Sequence, residues 1–160
     1  MRVFFSFLCI AFLSSCAVFQ PKNFSEEALQ EELQTVDRNS IDFKEVITKN
    51  NQQKKFIQFY ASYCPVSQDS FKDVVAFQEE HKDFEYIFLS VDHSYHDWKR
   101  GLESLKVEGL HYYIPKKGKG SLGEFLKLKT IPRFMLVDEA GNISIFKTSK
   151  VSDINKKINQ

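Results

Sequence analysis

The stretch FYASYCPVSQDSF, residues 59–71, joins an apolar, strand-like run to the start of an amphipathic helix. We predict a strand over residues 55–61 and a helix over 65–81, with Pro65 in its first turn. Cys64 lies between them, where the helix dipole and the free N–H groups of the first turn favour a thiolate. Free cysteines are also often buried and inert, so this stretch leaves Cys64 open as either a nucleophile or a core residue.

Strand and helix patterns alternate on both sides of this stretch. Beyond the two elements already named, the patterns predict a helix at 40–50 capped by Ser40, a strand at 86–91, a helix at 94–107, a strand at 111–114, a helix at 121–128, strands at 133–137 and 143–146, and a helix at 151–158. Such alternation predicts an α/β fold: a mostly parallel sheet with helical crossovers that ends in an antiparallel hairpin and a terminal helix. Cys64 and the segment after Val91 should then share one edge of the sheet.

A second motif, Thr130-Ile131-Pro132, stands directly before the strand RFMLVD. Proline is tolerated at the start of a strand because no ladder hydrogen bond is lost there. Taken together, FYASYCPVS, the downstream SVD and TIPRFMLVDEAGNI resemble the TlpA/ResA group of thioredoxin-like proteins, which are membrane-tethered or secreted thiol–disulfide proteins of the bacterial envelope. The resemblance covers residues 36–160 and implies a thioredoxin-like fold with a TlpA-type strand–helix insertion at about 108–128.

The resemblance implies roles by position. Cys64 matches the attacking cysteine, Ser67 stands where the resolving cysteine is usual, and Pro132 matches a cis-proline beside the active site. Ile131 would offer backbone groups to an extended substrate, together with Tyr63 and Pro65 beside the thiol, as candidate substrate-binding residues. We also expect the Ser67 hydroxyl to donate a hydrogen bond to the Cys64 sulfur.

Besides Ser67, two further positions depart from the family pattern. Tyr63 replaces the usual tryptophan, and Gln58 occupies the strand position of a buried carboxylate, where it cannot take up a proton. Cys9 lies in the predicted signal segment and Cys16 is predicted to carry lipid, which leaves Cys64 as the single free thiol. Release of a mixed disulfide then needs an external thiol donor or another cysteine of the protein substrate. The predicted function is therefore monothiol exchange on protein thiols and disulfides, isomerase- or reductase-like, with no cofactor.

Three alternatives stay open. The chain could be a redox-inactive thioredoxin-fold module that binds extended peptides or partner proteins beside Pro132. The segment Asp92 to Asp97 includes His93 and His96 and could form a copper- or zinc-binding site with the Cys64 thiolate. One thiol makes a poor closed site, and we assign no metal ligands. A peroxidase is disfavoured because Ala61 stands where peroxiredoxins require threonine.

The N-terminus predicts export and anchoring. Arg2, the apolar run 3–13 and Leu13-Ser14-Ser15-Cys16 resemble a bacterial lipoprotein signal, with residues 1–15 removed and Cys16 carrying lipid. Residues 16–35 are polar and are predicted to be a tether that finishes in a short helix capped by Ser25, followed by the domain at 36–160. We expect a periplasm-facing envelope lipoprotein held to the membrane by Cys16, with the outer membrane favoured weakly because residue 17 is not aspartate.

Composition excludes one class of partner. The 160 residues include 22 Lys and Arg against 21 Asp and Glu, a formal net charge of +1. The lysines are spread along the chain and form no basic block, so the sequence predicts no nucleic-acid partner.

Overall fold

The structure is a computed structural model and describes residues 20–159. Its helices are α1 (Glu26–Leu29), α2 (Phe43–Thr48), α3 (Pro65–Glu80), α4 (Tyr95–Leu102), α5 (Ser121–Phe125) and α6 (Val151–Ile158). Its strands are β1 (Glu32–Gln34), β2 (Ser40–Asp42), β3 (Lys55–Tyr60), β4 (Glu85–Ser90), β5 (Leu110–Tyr113), β6 (Arg133–Val137) and β7 (Ile143–Thr148). None of the helices within these residues has the length and apolar character that crossing a bilayer requires.

All seven strands form one sheet in the order β2-β1-β5-β4-β3-β6-β7. Strands β3, β4 and β5 run parallel, whereas β6 runs antiparallel to β3 and β7 antiparallel to β6. Every residue of β3 is buried, as expected for a strand covered on both faces near the centre of the sheet. The predicted α/β architecture with a C-terminal antiparallel hairpin and terminal helix is confirmed. The sheet is mixed, because only β3, β4 and β5 are parallel and the remaining pairings are antiparallel.

Two apolar cores lie on opposite faces of the sheet. Successive residues of a strand point to opposite faces, and accordingly Phe56 belongs to one core and Ile57 to the other. The first core takes its helical residues from α1, α2 and α5, and the second from α3, α4 and α6. The molecule therefore has three layers, and Trp98 is fully buried in the second core, where its Nε1 donates to the Tyr60 hydroxyl at 3.0 Å.

The N-terminal segment is part of the fold from well before residue 36. Ser25 caps α1 as predicted, its hydroxyl accepting from the Ala28 N–H at 3.2 Å. Beyond α1, however, Leu33 of β1 is fully buried, and Gln34 pairs with Tyr113 of β5. The short helix predicted within residues 16–35 is therefore present as α1, and a strand that was not predicted, β1, follows it in the same segment. The strand was missed because residues 26–34 are rich in Glu and Gln, and β1 has a single buried apolar residue, Leu33.

The helix predicted from Ser40 begins later. Ser40–Asp42 forms β2, which pairs antiparallel with β1, and α2 starts at Phe43 with Asp42 as its N-cap residue. The error has a tertiary cause: Ile41 pairs with Leu33 of a strand that the sequence did not reveal. Helices α4 and α5 also end earlier than predicted, at Leu102 and Phe125.

A buried ion pair lies at the start of the two central strands. Lys55 Nζ is 3.1 Å from a Glu85 carboxylate oxygen, and the two side chains are only 2% and 9% exposed. Lys55 also donates to the backbone carbonyls of Asn50 and Gln53, and Asn50 Nδ2 donates to Glu85 at 2.6 Å. The pair therefore joins β3, β4 and the loop before β3.

Replacing Lys55 alone should be costly. Lys55→Met leaves the Glu85 carboxylate buried without its cation, and we expect the free energy of unfolding to fall by about 3–5 kcal/mol. Lys54→Met is the matched control, because Lys54 pairs with Asp83 at the surface, where an ion pair contributes about 0–1 kcal/mol. Urea denaturation of both variants measures the difference, and equal stabilities would contradict this account of the pair.

Candidate active site

Two loops meet at one edge of the sheet because of how β3 and β6 pair. The two strands run antiparallel with Phe59 opposite Arg133, so the end of β3 lies beside the start of β6. Cys64 follows the end of β3, and Pro132 directly precedes β6. Strand β4 ends at the same edge, where the Val91 N–H donates to the Tyr60 carbonyl at 2.8 Å. The residues predicted to form the site are thus brought to one edge.

Cys64 is the N-cap residue of α3 and is half-buried. Its own N–H donates to the Ala61 carbonyl at 3.1 Å, and Pro65 occupies the first turn of the helix, as predicted. No acidic residue lies in that first turn, so its N–H groups have no carboxylate competing with the sulfur for them. The Cys64 side chain itself makes no capping hydrogen bond with those N–H groups.

Exposed apolar side chains flank the thiol. Tyr63 is 54% exposed and Val66 is 63% exposed, which is unusual for large apolar side chains, and Pro65 between them is also exposed. The Tyr63 ring stacks on the exposed His93 ring with 4.3 Å between the ring centroids. These exposed side chains form an apolar rim beside Cys64.

A buried carboxylate fixes the loop that leads to Cys64. Asp92, directly after β4, is fully buried and accepts the Ser62 N–H at 3.0 Å and the Ser62 hydroxyl at 2.7 Å. Its other oxygen accepts the Ser90 hydroxyl at 2.6 Å. These charge-assisted bonds connect the end of β4 to the residue two positions before the thiol.

Two further contacts hold the same loop. Gln68 Nε2 of α3 donates to the Ser62 carbonyl, so Ser62 is bonded from both sides. Gly101 of α4 lies so close that a Cβ there would be 2.4 Å from the Ser62 Cβ, which means that α4 reaches the loop only because residue 101 lacks a side chain. Cys64 is therefore presented from a loop with several independent attachments.

Ser67 is buried beneath the thiol, but it does not make the expected contact. Its side chain is fully buried, and its hydroxyl has no hydrogen-bond partner among residues 20–159, so the predicted bond to the Cys64 sulfur is absent. Instead, Gln58 Nε2 donates to the Ser70 hydroxyl at 3.1 Å, and Ser70 donates to the Ser67 carbonyl at 2.7 Å. The prediction failed because sequence spacing places Ser67 one turn after Cys64 but does not fix where its hydroxyl points.

The proline loop has the backbone that the resemblance implied. The Ile131–Pro132 peptide bond is cis, and Pro132 is buried while Ile131 is half-buried. Two grooves adjoin Ile131. One, of about 420 Å³, runs between Val66 of α3 and Pro132, and the other, of about 380 Å³, runs between Tyr63 and Ile131. An extended chain lying along this loop would pass close to the start of α3.

The residues of the possible metal cluster do not converge. The Asp92 carboxylate is occupied by Ser62 and Ser90, whereas His93 stacks on Tyr63 at the surface. Across residues 20–159, no three His, Cys, Asp or Glu side chains are grouped so that they could hold a metal ion.

Sequence reasoning missed what Asp92 does. It assigned this residue only to the possible metal cluster and gave Ser62 and Gln68 no role. A signal was nonetheless present, since a carboxylate that follows a largely apolar central strand is at a position where burial is expected and donors must then be nearby.

Removing the Asp92 charge should loosen the loop. Asp92→Asn keeps the size but has one acceptor oxygen for three donors, and we expect unfolding to become easier by about 1–3 kcal/mol. Amide exchange at residues 61–64, followed by mass spectrometry, should speed up. Asp37→Asn, at an exposed position with no side-chain partner among the described residues, is the control. If both variants match the parent in stability and exchange, Asp92 does not hold the loop.

Comparison with known proteins identifies the architecture. A family model described as thioredoxin-like matches residues 52–143. No curated protein matches the sequence.

Solved structures share the fold at low identity. The thioredoxin domain of a thiol-disulfide oxidoreductase from Bacteroides vulgatus is 18% identical, with a TM-score of 0.66 over 80% of this chain and 89% of that one. A thiol:disulfide interchange protein from Bacteroides sp. is 17% identical, with a TM-score of 0.68 over 88% of each chain. A thiol-disulfide oxidoreductase from Bacteroides fragilis is 14% identical, with a TM-score of 0.66 over 80% of this chain and 93% of that one.

At these identities the structural likeness establishes the fold. It agrees with the family match, with the seven-stranded sheet flanked by helices and with the cis-proline loop beside Cys64. The chain belongs to the thioredoxin-like family.

Proposed function

We propose that this protein acts on protein thiols and disulfides through Cys64, by monothiol exchange of an isomerase- or reductase-like kind. One observation carries the proposal: a half-buried thiol stands at the start of α3, on the sheet edge where the cis Ile131–Pro132 loop also lies. A core cysteine would need no exposed rim, whereas Tyr63 and Val66 beside this thiol are both more than half exposed.

The exchange proceeds in two balanced steps. The Cys64 thiolate attacks one sulfur of a substrate disulfide, a new S–S bond forms to Cys64, and the other substrate sulfur leaves as a thiolate. An external thiol, or a second cysteine of the same substrate, then attacks the mixed disulfide and frees Cys64. On the external route the first thiol leaves in a new mixed disulfide, and a second external thiol must attack that disulfide before the substrate disulfide is reduced and two external thiols are joined. The internal route rearranges disulfides without net oxidation.

Ser67 and Gln58 limit the reaction to one thiol. A two-thiol enzyme resolves its mixed disulfide internally, but the Ser67 hydroxyl cannot displace a sulfur in this way. Gln58, fully buried on β3, has no proton to give or take. The first step therefore needs only Cys64, and the second depends on a thiol supplied from outside.

The rim and the proline loop suit a protein substrate. Tyr63, Pro65 and Val66 offer apolar contact beside the sulfur, and Ile131 offers backbone groups to an extended chain. Pro132 shapes that loop at the same edge. These features, with the insertion formed by β5 and α5, also support our finer proposal that the chain is a TlpA/ResA-like member with a Cys-Pro-Val-Ser site.

A model peptide disulfide tests the chemistry. We expect the parent protein to form a mixed disulfide that persists until reduced glutathione is added, because no second thiol is present. Ser67→Cys should release the peptide without glutathione, leaving a disulfide between Cys64 and the new thiol. Mass spectrometry of acid-quenched, alkylated samples distinguishes these species.

Cys64→Ser is the control and should form no adduct. The rival function is a redox-inactive module that binds peptides beside Pro132, and the neutral Gln58 and Ser67 favour it. If the parent forms no mixed disulfide while the peptide still binds, exchange is refuted and the binding module is the better account.

We further propose that the protein is an envelope lipoprotein anchored by lipid on Cys16, facing the periplasm, with the outer membrane favoured. The support is the signal-like segment 1–15 and the lipobox-like Leu13-Ser14-Ser15-Cys16, which lie outside the described residues. A tether from Cys16 to the first described residues would join the fold ahead of α1.

Labelling with a fatty acid tests the anchor. The parent protein should incorporate label and sediment with membranes, and Cys16→Ala should do neither. Cys9→Ala is the matched control, since Cys9 would leave with the signal. Labelling and sedimentation of Cys16→Ala at parent levels would rule out lipidation at this residue.

A further inference from the structure

A groove with a basic wall runs beside the candidate site. Its volume is about 380 Å³, and Tyr63, His93 and Ile131 form the side nearest the thiol loop, while Lys117, Lys119 and Lys129 supply positive charge. The three lysines come from two separate loops. In the sequence Lys117 and Lys119 look like part of a solvated basic loop, and only the fold brings them together with Lys129.

The loop that carries two of these lysines is held in place. The Lys117 N–H donates to the Ile114 carbonyl, and the Lys119 N–H donates to the Lys116 carbonyl, each at 2.9 Å. Gly118 has a φ of +72°, and a Cβ there would be 3.0 Å from Leu128 Cδ2 and 3.2 Å from Val91 Cγ1. The loop thus packs against the end of β4, and its lysines project from a fixed backbone.

The positive charge in this groove is not neutralised. No acidic side chain lines the groove, and within residues 20–159 none of its three lysines forms an ion pair. Lys129 also belongs to a further group of positive charges. Burial, and then the charges of Arg133, Lys127 and Lys129, hold the pKa of Lys147 below its ordinary value. An anionic ligand would relieve this repulsion.

The groove on the other side of Ile131 differs. It contains Asp69 and Asp73 together with Arg133 and Lys150, so its charges are mixed. An extended chain crossing Ile131 would therefore meet a uniformly basic lining in only one of the two grooves. This asymmetry is what a charge-selective substrate site requires.

We propose that the groove formed by Lys117, Lys119 and Lys129 binds an extended acidic segment of the protein substrate, next to the cysteine that exchanges with Cys64. The placement of this segment next to the exchanging cysteine rests on the proposed function, because the thiol chemistry explains why a substrate segment would lie here. The selective binding of an acidic peptide is supported by the groove alone. The concave shape and its position beside Tyr63 favour a peptide over a flat anionic membrane.

Binding of two cysteine-free fluorescent peptides tests the groove apart from Cys64 chemistry. One peptide carries Asp and Glu at alternate positions, and the other has Asn and Gln in their places. We expect the acidic peptide to bind on the order of tenfold more tightly at low salt, with the preference shrinking at high salt. Fluorescence anisotropy measures both affinities.

Matched variants separate the groove from overall charge. The triple variant Lys117→Gln, Lys119→Gln, Lys129→Gln should lose the preference. A control triple variant, Lys82→Gln, Lys106→Gln, Lys157→Gln, removes the same charge from exposed lysines elsewhere and should retain most of it. Circular dichroism checks that both variants fold.

Three results would overturn the proposal. They are equal affinity of the parent for both peptides, equal loss of preference in the two triple variants, and lysine-dependent binding to anionic phosphatidylglycerol vesicles without preference for the acidic peptide. Failure of Cys64 to form mixed disulfides would leave the peptide affinities unchanged, so the two proposals fail separately.

Discussion

The position of the thiol depends on one buried carboxylate. Asp92 accepts hydrogen bonds from the backbone N–H and the hydroxyl of Ser62. These bonds join the end of β4 to the loop that leads into α3. A buried carboxylate is stable only with such donors, and its bonds to Ser62 are the charge-assisted ones among the several attachments of this loop. Gln68 and the close approach of Gly101 reinforce the same residue. The half-exposed sulfur of Cys64 is a consequence of this arrangement.

The central strand then determines what lies near that sulfur. Because β3 pairs with β4 on one side and β6 on the other, the Cys64 loop, the end of β4 and the Pro132 loop share one edge. This provides the nucleophile and the surface for a substrate chain. The resolving position is different, since Ser67 is buried and its hydroxyl has no partner in the described part of the chain, and the buried Gln58 is neutral. The site thus retains the groups for forming a mixed disulfide and lacks those for resolving it alone.

The sequence predicted the parts of the fold that local patterns encode. The alternation around Cys64 was enough for the succession of the central strands and helices, and the resemblance to the TlpA/ResA group supplied the cis-proline loop before RFMLVD. Prediction failed where tertiary pairing determines the structure. Strand β1 has one buried apolar residue, Leu33, and Ser40 lies in a strand because β2 pairs with β1. The orientation of the Ser67 hydroxyl and the convergence of Lys117 with Lys129 depend on packing between distant segments, which no local pattern reports.

The central claim is that Cys64 exchanges with protein disulfides, and trapping in intact cells tests it most directly. Cells expressing the parent or Cys64→Ser would be quenched with acid, alkylated and separated without reductant. The account predicts disulfide-linked adducts of the parent that disappear on reduction and are missing from Cys64→Ser, with peptide mapping locating the linkage at Cys64. The same pattern for both proteins, or no adduct for the parent, would contradict it.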